Sequence, residues 1–561
     1  MKWLQEVSHD VVGNCPIKEV NVSRLCGKKS VYLFLILLCL FLGSPRLVGA
    51  VEVHDGSPAD GDWLVRRMPA EPATLNPVTA TDVYEGMVNS FIYESLLKRD
   101  NRTLELVPFL AQTLDASSDH LSYTFTLRDG LRWGDGMPLT ADDVVFTFEI
   151  VRDPAVDAPH LRNYYRNLEK VQALDNRTVR FTFSKPYFKS LEMIGGMSII
   201  PRHIFAKGDF NTNPHGRSPI GSGPYKFVKW ETGKEIVLSR NEDYWGKKPH
   251  LKKIVFKIIT DETVALQVLK RGEMDLMGLT PVQWTRQTRR RKFTRKFDKL
   301  QYYLPGYSFI GWNMRRPYFS DKRVRRAMTM VLDRESILKN LRYGLGQIVT
   351  GNFFYESRDY DKDIKPWPHD PRKAAALMDE AGWTDSDGDG IRDKDGVPFR
   401  FEFTIVSGSQ FAEQMATILK EELRKVGVDM LIRPLEWALF TEVLDDRSFD
   451  AVIMGWSLPV EADPYQVWHS SQAEKGSNFV GFVNQEADEI IEKARTTFDR
   501  STRAGYYRRF HEILHDEQPY TFLFVNKSLV ALDKRFENVN VYPLGLDPTE
   551  WYVPADLQRY R

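Results

Sequence analysis

No cysteine occurs beyond Cys39, so almost the whole of this 561-residue chain must hold its shape without a disulfide. The remaining two, Cys15 and Cys26, lie nearer still to the start. The same absence excludes thiolate nucleophiles and Cys-ligated metals from everything that follows. Packing alone must stabilise the fold. At roughly 100–200 residues per domain, the length implies about three domains or lobes. Hydrophobic residues at 42% and charged residues at 27% describe an ordinary globular chain. They exclude a disordered chain, a collagen and a multi-span membrane protein. Lys+Arg at 77 against Asp+Glu at 76 leaves a net charge of +1, so no basic surface is available for nucleic acid. Aromatic residues at 12% suit a large core or a pocket that grips organic ligands.

The cysteines share their stretch of chain with an export signal. Arg24, Lys28 and Lys29 precede the apolar run Val31–Leu42. A membrane-spanning helix needs about 20 apolar residues, so this run is too short to span. Gly43, Ser44 and Pro45 break it, and Val48-Gly49-Ala50 forms a small-residue exit. Basic start, short apolar core and small-residue exit are the parts of a secretory signal peptide, with cleavage after Ala50. Residues 1–23 are atypical for a signal, which leaves the true start codon open. Cys39 follows Leu38 rather than a small residue, which argues against a lipoprotein. The expectation is an exported, soluble, periplasmic chain.

Beyond residue 50, strand and helix patterns alternate. Leu121–Leu127, Thr178–Phe183, Ile236–Leu238 and Ile254–Ile259 read as strands in the first half. Turn signals separate them, such as Asp129-Gly130 and Gly134-Asp135-Gly136. The second half reads strand Phe399–Val406, amphipathic helix Phe411–Val426 closed by Gly427, strand Val428–Pro434 and strand Phe449–Met454. Strand, helix, strand at this spacing indicates a parallel α/β lobe.

Three local motifs carry chemistry on paper. His511-Glu512-Ile513-Leu514-His515 matches H-E-x-x-H, which puts two zinc ligands on one helix face with Glu as general base. No His lies downstream to act as a third ligand, and the helix ends at Asp516–Pro519. Asp385, Asp387, Asp389 and Asp393, spaced with Gly388 and Gly390, resemble the start of a calcium loop. The twelfth position is Gly396, where an EF-hand carries a bidentate Glu, so the alternative is an acidic surface turn. Arg286–Lys296 is a basic run, read as a solvated face. No G-x-S-x-G, P-loop or G-x-G-x-x-G is present.

Several ordered segments together resemble the family 5 extracellular solute-binding proteins, the dipeptide- and oligopeptide-binding components of ABC importers. Glu71–Pro77 resembles the opening motif E-P-x-x-L-D-P. Tyr123–Phe146 and Ile220–Trp245 are similar to the next two signature blocks. Asp321–Asp333 and Asp370–Trp383 follow in the family's order. The resemblance implies an α/β fold of two lobes with an inserted sublobe, and a cleft between lobes joined by two crossing strands. The division would be signal 1–50, lobe I 51–104, sublobe 105–217, lobe I again 218–304, lobe II 305–524 and lobe I again 525–561. It further implies a monomeric, non-enzymatic carrier without a required cofactor. Its partners would be a peptide or other small solute, a membrane permease and separate ATPase subunits. Structural Ca²⁺ at the acidic loop is the only metal expected.

The resemblance also carries site residues. Gly455-Trp456-Ser457 matches the segment where the ligand backbone pairs, and Asp463-Pro464 matches the following D-P. Peptide binders place an Asp a few residues after that Trp, to meet the ligand's α-amine. Here Leu458 and Pro459 stand near that place, and the acids come later, as Glu461 and Asp463. Trp437 is a further pocket candidate and Thr81 a candidate contact from the first lobe. Two other readings stay open. One is the same fold with a non-peptide cargo, an oligosaccharide or nickel complex. The other is a secreted zinc metallopeptidase built on His511 and His515.

Overall fold

The computed structural model describes residues 57–560. Residues 1–50, where the export signal is expected, lie outside them. Three sheets organise the described chain. The smallest of the three is a four-stranded antiparallel sheet of Ala111–Ala116, Ser122–Leu127, Thr178–Phe183 and Leu168–Ala173. Its alternation is the one written in the sequence. Ser122–Leu127 buries Tyr123, Phe125 and Leu127 and leaves the residues between them half-exposed. Helix Ala141–Arg152 packs across it, opened by a capping box between Thr140 and Asp143. Phe181 meets Phe125 and Phe148 edge-on, at 5.6 and 4.9 Å between ring centroids.

The largest sheet is eight-stranded. It runs Phe297–Tyr303, Phe524–Asp533, Leu276–Gly278, Trp63–Met68, Lys253–Ile258, Glu235–Arg240, Tyr225–Glu231, with Gly346–Ile348 paired onto Phe524–Asn526. Trp63–Met68 lies parallel to Lys253–Ile258, whose run Ile254-Val255-Phe256 is buried throughout. The third sheet, five-stranded, runs Asp429–Leu435, Arg400–Val406, Ala451–Ser457, Gly306–Trp312, Tyr520–Phe522. Helix Gln410–Arg424 connects the parallel pair Arg400–Val406 and Asp429–Leu435. Gly427, at φ +77°, supplies the left-handed turn beyond the helix end. The basic run Arg286–Lys296 does form a mostly exposed face of short helical turns.

The chain passes between the two larger sheets twice. Phe297–Tyr303 continues through Leu304-Pro305 into Gly306–Trp312, and Tyr520–Phe522 continues through Leu523 into Phe524–Asp533. The fold is therefore two α/β lobes joined by two strands, with the four-stranded sheet as a sublobe on the first.

Two buried polar knots hold the first lobe. Glu94 accepts hydrogen bonds from Ser222 Oγ (2.8 Å), Tyr244 Oη (2.7 Å) and Trp245 Nε1 (2.9 Å). Burial pushes its carboxyl up to about 7, against those donors. Arg535, fully buried, reaches Asp62 Oδ2 (3.0 Å), Asp275 Oδ2 (3.1 Å) and the Trp63 carbonyl (2.9 Å). It ties the end of Phe524–Asp533 to the start of Trp63–Met68. Arg535→Met would leave Asp62 buried without its cation and Asp275 with only Arg559 at 3.4 Å, at a cost of about 3–5 kcal/mol. We expect a melting temperature several degrees below wild type by differential scanning calorimetry; an unchanged melt would show that the knot contributes nothing.

Candidate functional site

Strand Ala451–Ser457 is the foundation of the site. Its first half, Ala451-Val452-Ile453, is buried, while Gly455 and Ser457 are exposed. One edge pairs along its whole length with Gly306–Trp312. The other meets Arg400–Val406 only at Ala451 and Val452. From Ile453 to Ser457 that edge has no strand partner, so its backbone groups can take an added extended chain. The Trp456 ring stands in an aromatic column between Phe309 (6.3 Å) and Phe479 (6.1 Å). Its Nε1 donates to Tyr520 Oη at 3.5 Å. Leu458 turns the chain away through a bond from its N–H to the Pro305 carbonyl, 2.9 Å.

A cavity of about 680 Å³ lies between the lobes. Tyr302 and Tyr303, at the crossing strand, line it together with Arg102 and Tyr542 from the first lobe and Asp359 and Glu461 from the second. A second cavity, of about 1000 Å³, lies inside the first lobe and sublobe, against Arg66, Phe91, Glu94 and Trp245. Arg102 and Tyr542 line both, so the two spaces adjoin.

The two acids that the sequence offered for an amine are already engaged. Glu461 lines the interlobe cavity but pairs with Arg500 (2.9 Å) and Arg503 (3.4 Å). Asp463 lines neither cavity; Arg495 Nε (3.0 Å), Tyr187 Oη (2.7 Å) and the Tyr465 N–H (3.1 Å) hold it. These arginines come from helices Gln485–Thr496 and Arg500–Glu517, far along the sequence from Trp456. The Asp463–Tyr187 bond joins the second lobe to the sublobe. Phe188 N–H reaches the Arg495 carbonyl there at 2.9 Å, and His120 stacks on Phe498 at 3.6 Å.

The loop from Thr350 to Asp361 carries a residue that the sequence reading passed over. The Asp359 carboxyl is half-buried in the cavity wall, and among the described residues it has no hydrogen bond or ion pair. Burial pushes it up to about 6, with Arg503 opposing and Glu461 reinforcing the rise. Two residues earlier, the buried Ser357 Oγ has no hydrogen-bond partner. Nothing in the local pattern marks Asp359. Only the inventory of partners around the cavity does.

His511 fixes that loop. Its Nδ1 accepts from the Asp361 N–H (3.2 Å), so Nε2 carries the proton toward Thr350 Oγ1 (2.9 Å). Tyr360 Oη accepts from the Thr350 N–H at 2.8 Å. A methyl group on Gly351 would overlap the His511 ring. The alternative of a zinc peptidase built on this motif gains no support. Both His511 nitrogens are used, His515 stacks on Trp367 at 5.3 Å, and Glu512 is exposed and paired with Arg509 at 2.7 Å. The acidic loop is corrected in part. Asp385, Asp387 and Asp389 bring carboxylate oxygens within 4.8 Å of one another. Asp393 is not among them, because Ser386 N–H and Oγ hold its carboxylate at 2.9 and 2.7 Å. These acids lie outside both cavities, so a cation there would be structural. Trp437 is 62% exposed and lines neither cavity. Thr81 is exposed, on the capping turn of helix Val83–Ile92, and lines neither.

Two lobes joined by two strands, with a cavity between them, define a hinged solute-binding protein. Among the described residues no helix is long and apolar enough to cross a membrane. The sequence pattern of the bacterial extracellular solute-binding proteins, family 5, matches residues 105–478. The chain is 31% identical over 535 residues to the oligopeptide-binding protein AppA of Bacillus subtilis (strain 168), covering 91% of this chain and 95% of that protein. Among solved structures, AppA from Bacillus subtilis in complex with a nonapeptide superposes with a TM-score of 0.75 at 30% identity, over 89% of this chain and all of that one (100%). NikZ from Campylobacter jejuni in complex with Ni(L-His) does so with a TM-score of 0.74 at 27% identity, over 88% and 99%. The chain belongs to family 5 of the bacterial extracellular solute-binding proteins.

Burial pushes His511 down from 6.5 to about 4. The unfolded imidazole therefore binds a proton between those pH values while the folded one refuses it, and stability falls as pH drops through that window. His511→Gln removes this contribution. Melting temperatures measured from pH 7 to pH 4 should show the gap between wild type and variant narrowing as the pH falls; a constant gap would mean that His511 is not buried neutral.

Proposed function

We propose that this chain is the substrate-binding component of an ABC importer for peptides. A cleaved signal peptide would deliver it to the periplasm, where it takes peptide into the space between its lobes and presents the closed form to a membrane permease. It catalyses nothing; ATP hydrolysis falls to separate subunits. We infer the lobe boundaries given above, with the sublobe at 105–217.

The observation that carries the reading is a cavity between the lobes lined by charges of both signs, in a chain whose strand Ala451–Ser457 keeps an open edge from Ile453 to Ser457. A peptide backbone satisfies such an edge through main-chain hydrogen bonds, whatever its side chains. A cavity that adjoins a second, larger one leaves those side chains room and water. The AppA relative solved with a nonapeptide supports a long cargo. The NikZ relative solved with Ni(L-His) supports a chelate. Against a chelate held by imidazole, no His lines either cavity among the described residues.

Native mass spectrometry of residues 51–561 tests this, before and after denaturation and refolding. We expect a heterogeneous set of added masses that disappears on refolding and sequences as peptides. A single discrete non-peptide mass would replace peptide by another solute.

A further inference from the structure

A ligand whose terminal ammonium enters the cavity between the lobes brings that charge among partly buried groups. An ammonium there requires an anion. The positions just after Trp456 are Ser457, Leu458 and Pro459, none of which can supply one. Three acids line the interlobe cavity: Glu356, Asp359 and Glu461. Glu356 pairs with Lys362 at 3.4 Å. Glu461 is held by Arg500 and Arg503. Asp359 alone has neither an ion pair nor a hydrogen bond.

We propose that Asp359, with the Ser357 hydroxyl beside it, receives the primary ammonium group of the bound ligand, so that amine recognition in this chain sits on the Thr350–Asp361 loop rather than at the end of strand Ala451–Ser457. The inference rests on the peptide reading and names the end of the peptide that is read. Three features support it. The loop is rigid, pinned by Thr350, Tyr360 and Asp361 around His511. The nearby arginines Arg500 and Arg503 are committed to Glu461, and Arg358, although its charge reaches Asp359, makes no ion pair with it among the described residues. The Ser357 oxygen, buried without a partner, offers a second acceptor for an ammonium's three donors. His511 is then a positioning residue, since it touches the loop and not the ligand.

The probe is a pool of random pentapeptides, prepared with free and with acetylated N-termini and titrated by isothermal calorimetry. Wild type should bind the free pool about 10- to 100-fold tighter, the range for one charge-assisted hydrogen-bonded contact. Asp359→Asn should melt like wild type and bind both pools at the acetylated level. Ser357→Ala, which removes no charge, should lose a smaller part of the discrimination. Full discrimination kept by Asp359→Asn, or none in wild type, overturns the proposal while leaving a peptide carrier. Binding of neither pool by wild type overturns the peptide reading and the inference with it.

Discussion

A carboxylate taken out of water must be met by a cation or by several donors, at a cost of several kcal/mol if it is not. Much of this molecule is arranged around that requirement. Asp62 and Asp275 share Arg535, and through it the last long strand is fastened to the first. Glu94 takes the other route, with three neutral donors and a carboxyl pushed up to about 7. Glu461 and Asp463 are each met by arginines from the two helices behind them. Against this background an unmet acid in a cavity wall is an exception. Asp359 is that exception, and it lies in the wall of the cavity between the lobes.

The same acids also join the lobes. Asp463 accepts from Tyr187 of the sublobe while Arg495 holds it, and His120 stacks on Phe498 across the same boundary. These contacts are made by the chain alone, so they favour an arrangement in which the two surfaces meet, and a ligand shifts the balance between arrangements only by binding one of them better.

The strands with a clear period were legible in the sequence. Thr178–Phe183 is bounded as the alternation predicts, and helix Gln410–Arg424 stops short of Gly427 as its cap signal implies. The ordered motifs gave the two-lobed architecture, and Glu94 shows why they recur together: Ser222, Tyr244 and Trp245 of one block converge on a single buried acid. The site was only half legible. Trp456 and the strand edge follow from the motif, but Glu461 and Asp463 were offered to the ligand because their partners, Arg495, Arg500 and Arg503, lie on later helices. The H-E-x-x-H spacing was read correctly as helical, yet the tertiary partners Thr350 and Asp361 decide what His511 does. Asp359 sits in a loop without period, so its importance exists only in three dimensions.

The double passage between lobes has a consequence for how the molecule comes into being. Strand Phe524–Asp533 sits between Phe297–Tyr303 and Leu276–Gly278, and Arg535 just beyond it neutralises the acids beside the first strand. The first lobe therefore cannot complete its sheet until the end of the chain has been synthesised. The first lobe is not a contiguous piece that could be cut out, swapped or made alone. A polypeptide whose first sheet waits for its last long strand stays unfinished until synthesis is nearly over.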